Sequence, residues 1–244
     1  MTARLFIEPE RLTGDSLTVD GPGFKHLVRV LRVQVGDVLG VFDGLGNEID
    51  AEVLSIDRQS LRCKLGARRT IPAPATRITL LQVMPRPDRM ELIVQKTTEL
   101  GVTAIVPVIT VRASLDAEQT AGKLERWRTI AREAARQCGR ADVPQIAEAQ
   151  TLAQAASSVA TPEAMRLVLW ESEQHRSFMH AVPEGCREIV LLVGPEGGFS
   201  PDEVALVGKH GFASVGLGPR ILRTETAAIV AVTLAQAATG GLDS

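Results

Sequence analysis

The chain has no tyrosine, and aromatic residues make up only 3% of its 244 positions. That scarcity argues against the stacking platforms on which RRM-type sheets lay out bases. Cysteine is also sparse. Cys63, Cys138 and Cys186 are odd in number, widely spaced and form no C-x-x-C pair, which excludes a disulfide framework and points to a reducing compartment. The four histidines, His26, His175, His180 and His210, show no ligand spacing either, so no metal is expected. The opening residues soon meet Glu8 and Glu10, so no signal-peptide core is read there. The longest nearly apolar run, 227–238, is too short for a bilayer and carries Thr233 and Gln236. A cytoplasmic protein without a membrane partner is expected. Lys and Arg number 27 against 29 Asp and Glu, a net charge of −2, so any nucleic-acid contact must use a local basic patch.

What remains is an ordinary globular composition, 45% hydrophobic and 23% charged, long enough for one large domain or two smaller ones. Residues 1 to 68 read as β-rich, with strands at 4–8, 37–43, 48–56 and 60–65. Gly44-Leu45-Gly46-Asn47 is a hairpin signal between two of them. Phe24, Leu27, Val28 and Leu31 recur at helical spacing, with Lys25, Arg29 and Arg32 on the opposite face, which predicts a small barrel carrying one amphipathic helix. His26 is expected on the surface. Residues 66–77, interrupted by Pro72 and Pro74, read as a linker, so the domains are placed at 1–70 and 74–244. Beyond it, strands at 78–83, 104–110, 166–170, 188–193 and 213–217 alternate with helices, predicting an α/β domain with a mostly parallel sheet. Asp88 and Glu91 signal one helix start. Ser200-Pro201-Asp202-Glu203 signals another, closed by Lys209-His210-Gly211.

Two glycine-rich loops follow the last strands. Leu192-Val193-Gly194-Pro195-Glu196-Gly197-Gly198-Phe199-Ser200 and Leu217-Gly218-Pro219-Arg220-Ile221-Leu222-Arg223-Thr224-Glu225-Thr226 each join an apolar run to a helix start, with Thr224 expected as a cap. Missing Cβ atoms let a ligand approach main-chain groups, and each helix start adds a positive dipole end. The spacing fits neither G-x-G-x-x-G in a first turn nor G-K-[ST]. Either loop alone reads equally as turn glycines around a helix cap. Two in succession, near adjacent strand ends, predict one pocket built from backbone.

These two loops resemble the signature of the small-subunit (16S) ribosomal RNA uridine-N3 methyltransferases of the SPOUT superfamily. His26-Leu27-Val28-Arg29-Val30-Leu31-Arg32, Gln95-Lys96-Thr97-Thr98-Glu99-Leu100-Gly101-Val102 and Arg132-Glu133-Ala134-Ala135-Arg136-Gln137-Cys138-Gly139-Arg140 extend the resemblance over nearly the whole chain. The chain departs from the family at Arg86-Pro87, where a Lys-Gly-like pair is usual, and at Arg136, where Glu is usual. The resemblance implies a PUA-like β-barrel, a SPOUT α/β domain with a trefoil knot, S-adenosylmethionine as methyl donor, and a homodimer. The implied cofactor residues are Leu169, Val193, Gly194, Pro195, Glu196, Gly197, Leu217, Gly218, Ile221, Leu222, Thr224, Thr226 and Ala227.

Uridine N3 must lose a proton before it attacks, so a cation and a base are sought: Arg223 and Glu225, with Glu196 behind. The same two residues read alternatively as a structural pair locking the loop. For ribosomal RNA, or the assembled 30S subunit, the candidate contacts are Lys25, Arg29 and Arg32, near Arg68-Arg69 in sequence, and Arg128, Arg132 and Arg136 at i, i+4, i+8. The latter run also reads as a solvated helix face. The apolar helix 224–239 is expected to be buried, in the monomer or against a second copy. Ribose 2′-O-methylation and a non-catalytic RNA-binding assembly role are the alternative functions.

Overall fold

The computed structural model describes residues 3–158 and 161–242, in two compact units. The first comprises 1–73 with 132–143, the second 74–131 with 144–244.

In the first unit, β1 (Arg4–Phe6), β2 (Ser16–Asp20), β3 (Val38–Phe42), β4 (Asn47–Ile56) and β5 (Ser60–Thr70) form one sheet in the order β1-β3-β4-β5-β2. Leu17, Val19, Leu39, Val41, Ala51, Val53, Leu61 and Cys63 meet in its core, and burial pushes the Cys63 thiol up to about 11. No strand is expected at β2 from the sequence, although its alternation buries Leu17 and Val19. β5 runs five residues beyond the expected strand, so 66–70 is not linker: Arg68, Arg69 and Thr70 pair with Ile49, Glu48 and Asn47. The extension passes a register shift, where a Cβ on Gly66 would lie 3.0 Å from the Asp50 carbonyl. The glycine that resembles a loop residue is what lets the strands cross that irregularity.

Between β2 and β3, helix α1 (Gly21–Lys25) gives way to a π turn over His26–Val30. The wider turn buries Leu27 fully but leaves Leu31 40% exposed, so the expected 3.6-residue apolar face breaks there. The turn ends at Arg32, whose φ of 55° is the one left-handed non-glycine backbone among the described residues. His26 is half-buried rather than exposed.

The second unit contains β6 (Arg77–Val83), α2 (Pro87–Glu99), β7 (Ala104–Ile109), α3 (Ala117–Ala121), α4 (Leu124–Cys138), β8 (Gln145–Ile146), β9 (Gln150–Thr151) and α5 (Leu152–Ser158). There follow β10 (Met165–Leu169), β11 (Glu188–Val193), α6 (Pro201–Gly208), β12 (Ala213–Val215) and α7 (Thr224–Ala238). From residue 132 onward α4 belongs to the first unit. Every pairing in the sheet is parallel, in the order β12-β10-β11-β6-β7-β8, with β9 also on β7. Its strands are near-continuous apolar runs because helices cover both faces.

Helix starts follow local chemistry. Ser200 and Glu203 form the expected reciprocal cap of α6. At α2 the expected Asp88–Glu91 cap is absent. Pro87 opens the helix, and Glu91 instead receives the Arg126 guanidinium, which holds its carboxyl below the usual range. Thr224 is likewise not the cap of α7 but its first helical residue, after Arg223. Gln236 is buried and donates from Nε2 to the Leu100 carbonyl at 2.8 Å. A Cβ on Gly101, at φ 90°, would collide with that amide. Among the described residues, no helix is long and apolar enough to cross a membrane.

Candidate active site

Both glycine-rich loops lie at the carboxyl ends of the parallel strands, and the sequence β6, β7 outward on one side and β11, β10 on the other makes this a switch point of the sheet. Together with the connector after β10, they line one cavity of about 1030 Å³. That lies at the upper end of the usual range for small-molecule pockets, about 300–1,000 Å³. Leu169, Val193, Gly194, Pro195, Glu196, Gly197, Leu217, Gly218, Ile221, Leu222, Thr224 and Ala227 all line it. Thr226 does not; it is exposed on the other side of the first helical turn. The residues suit an adenosyl group: Gly218 sits at φ 99° with open space where its Cβ would be, and Leu169 and Leu222 supply apolar wall.

The loops are held from beneath. Gln82, fully buried at the end of β6, donates from Nε2 to the Val83 carbonyl and to the Thr224 hydroxyl, both at 3.0 Å. Thr224 in turn donates to the Gly194 carbonyl at 2.6 Å. One hydroxyl thus ties the start of α7 to the loop after β11. On the outer side, the Glu196 carboxylate accepts from the Arg86 backbone N–H at 3.1 Å and from the Ser114 hydroxyl at 3.4 Å. Arg112 donates to the Gly197 carbonyl at 2.8 Å. Through these bonds Glu196 braces the loop.

The third wall, residues 170–177, carries no sequence signal of the kind the glycine loops give. Glu173 fixes it by accepting from the Ser214 hydroxyl and from the backbone N–H groups of His175 and Arg176 at 2.9 and 3.1 Å. The Ser214 bond, then the two backbone bonds, pull the Glu173 carboxyl down to about 2. Gly216 is needed because a Cβ there would lie 2.6 Å from the Glu173 carbonyl.

Of the catalytic candidates, Arg223 is exposed at the cavity, while Glu225 is buried at 6% exposure. The alternative Arg223–Glu225 lock does not form. Glu225 pairs instead with Arg89 of α2, Nη1 to Oε1 at 3.1 Å. Arg89 also lines the cavity. Arg89 is not among the residues expected from the sequence, although a cation in the first turn of a helix runs against the dipole and is a signal in itself.

Lys25, Arg29 and Arg32 are exposed. The arginines of α4 are engaged. Arg128 pairs with Glu125 at 2.6 Å and Arg136 with Glu133 at 2.8 Å. Arg132 pairs with Glu8 at 3.3 Å and covers the Phe6 ring at 5.0 Å. No group of His, Cys, Asp or Glu among the described residues is arranged to hold a metal ion.

The RNA methyltransferase domain family matches residues 72–236, and the RNA methyltransferase PUA domain family matches residues 19–66. Their combination defines an RNA-modifying transferase with an attached RNA-binding module. Relatives named ribosomal RNA small subunit methyltransferase E include those of Synechocystis, 35% identical over 95% of this chain and 76% of the relative, and Mycobacterium tuberculosis, 34% identical over 95% and 90%. The solved ribosomal RNA small subunit methyltransferase E of Neisseria gonorrhoeae, bound to S-adenosyl methionine, is similar with a TM-score of 0.87 at 31% identity and 98% coverage of both chains. A methyltransferase from Legionella pneumophila in complex with the same cofactor gives 0.87 at 33%, again covering 98% of both. The chain belongs to the ribosomal RNA small subunit methyltransferase E family.

Proposed function

We propose that this protein transfers the methyl group of S-adenosylmethionine to N3 of one uridine in small-subunit (16S) ribosomal RNA. Family membership supports the enzyme class, cofactor and substrate. The observation that carries the reading at the level of residues is the single cavity shared by both glycine-rich loops, with the buried Glu225 carboxylate beside it.

When bound, the sulfonium supplies an electrophilic methyl carbon. The protein's own residues do the rest. Main-chain groups of 194–197 and 218–222 hold the adenosyl moiety, with Leu169, Ile221 and Leu222 as apolar wall. The strapped loops exclude water and fix alignment, which a displacement at carbon requires. Uridine N3 carries a proton at neutral pH. Glu225 accepts it, and Arg223 stabilises the negative charge that spreads onto the uracil carbonyl oxygens.

Lys25, Arg29 and Arg32 contact RNA phosphates in this reading, with Arg128, Arg132 and Arg136 as a second, pre-neutralised set. The reading also includes knotted threading of the carboxyl-terminal segment, domains divided near 70–74, action on RNA or the assembled 30S subunit in the cytoplasm, and a homodimer. The outward side of α7, where Ile229, Val230, Thr233 and Leu234 remain half-buried, is the surface a second copy would cover. Mass mapping of ribosomal RNA from cells lacking the protein tests the central claim. One base methyl on uridine is expected to disappear and return on re-expression; an unchanged map, or loss of a ribose methyl, would sink it.

A further inference from the structure

Glu225 presents an energetic puzzle that its neighbours resolve. A carboxylate at 6% exposure is costly to hold charged unless paired. Its position in the first turn of α7 is favourable to an anion. Arg89 is placed against its own helix: it lies in the first turn of α2, where the dipole disfavours a cation. The Asp88 carboxylate, 3.5 Å from Nε, offsets part of that cost but is largely exposed. Arg89 thus gains little from α2 itself. Its guanidinium is partly exposed, borders the cavity, and reaches across to Glu225 at 3.1 Å.

We propose that Arg89 is the positioning residue for proton removal, holding the Glu225 carboxylate at the cavity wall in the orientation in which it takes the N3 proton of the acceptor base. This rests on the uridine-N3 reading above. The proton passes from N3 to Glu225, the freed electron pair forms the N3–methyl bond, and the methyl–sulfur bond breaks with its pair staying on sulfur, leaving the neutral thioether. Arg89 forms no bond and gains no proton. It keeps the base aimed until the acceptor arrives.

The test uses the full chain, small-subunit RNA or particles carrying either uridine or 5-fluorouridine at the target, and calorimetry with S-adenosylmethionine. Fluorine withdraws electron density and makes N3–H more acidic, so it lessens the need for a base. Arg89→Ala is expected to lower kcat on uridine by about tenfold or more, and by no more than the roughly 10²- to 10⁴-fold ascribed to general-base catalysis as a whole. Cofactor affinity should stay within about twofold of wild type, a margin well under the tenfold that 1.4 kcal/mol represents. The fluorinated substrate should recover most of the lost rate, and Arg89→Lys, which keeps the charge, should retain more activity than alanine. An equal loss on both substrates, or a loss of cofactor affinity that accounts for the rate, overturns the role of Arg89 while leaving the uridine reading intact. Mapping of the wild-type product to a ribose hydroxyl overturns the reading, and this proposal with it.

Discussion

Replacing Thr224 by valine keeps the shape of the side chain and removes one hydroxyl, and the structure says where the cost falls. That hydroxyl accepts from Gln82 Nε2 at 3.0 Å and donates to the Gly194 carbonyl at 2.6 Å. The Gly194 carbonyl belongs to a half-exposed residue, so water can serve it in the variant. Gln82 is fully buried and has no such recourse. Its amide keeps one bond, to the Val83 carbonyl at 3.0 Å, and loses the other. Flipping the amide would set Oε1 against that same carbonyl, and Oε1 already lacks a hydrogen-bond partner. One buried donor is therefore orphaned, at about 1–3 kcal/mol. Urea denaturation should register that loss with the m-value unchanged. The same tie anchors the first glycine loop, so affinity for S-adenosylmethionine should fall, by no more than the about 5- to 150-fold that this energy represents. Thr224→Ser, which restores the hydroxyl, should bring affinity back to within about threefold, a difference under 1 kcal/mol. If valine leaves both stability and cofactor affinity unchanged, the loop is held by something other than this hydroxyl, and Gln82–Thr224–Gly194 is not the strap of the site.

Two further outcomes follow from charges. The Glu173 carboxyl is held at about 2, below its unfolded value of about 4.3, so the unfolded chain binds more protons between those limits. Its contribution is complete above about pH 5 and declines as pH falls toward 2; Ser214→Ala, which removes the largest cause, should flatten the fall in urea midpoint over that window, and an unchanged slope would contradict it. Reversing charge at Arg29 and Arg32 should weaken RNA binding and lower its salt dependence by about 0.7 logarithmic units for each single-strand phosphate no longer neutralised, measured by titration at several salt concentrations; an unaltered slope would remove this surface from the RNA interface.

Much of the architecture is legible where a local rule and the tertiary fold agree. After Glu188, the run Ile189–Val193 is apolar throughout because β11 is central in a parallel sheet, and the bounds of the strand, Glu188–Val193, are those the sequence shows. Ser200 and Glu203 cap α6 because every interaction in a capping box lies within four residues. Errors arise where one local signal masks another. Pro72 and Pro74 make 66–70 resemble a linker, yet those residues are a strand whose glycine accommodates the Asp50 carbonyl. A helical period through Leu31 is reasonable until the π turn adds a residue, which no apolar spacing announces.

The site divides along the same line. Its walls can be read because glycine reports backbone conformation from a single position, and two such loops after neighbouring strands have few places to go except together. Its supports cannot. Gln82 finds Thr224 across 142 residues, and Arg89 finds Glu225 only because α2 packs beside α7. The α4 arginines make the complementary case. Their i, i+4, i+8 spacing suggests free phosphate forks, but Glu125 and Glu133 stand three residues before Arg128 and Arg136 and pair with them on the same helix. Those partners are visible in the sequence, and weighing them moves the expected RNA surface toward Lys25, Arg29 and Arg32. A basic residue is available to RNA in proportion to what already neutralises it, so counting charge along a helix is informative only after its acidic neighbours at three and four residues have been subtracted.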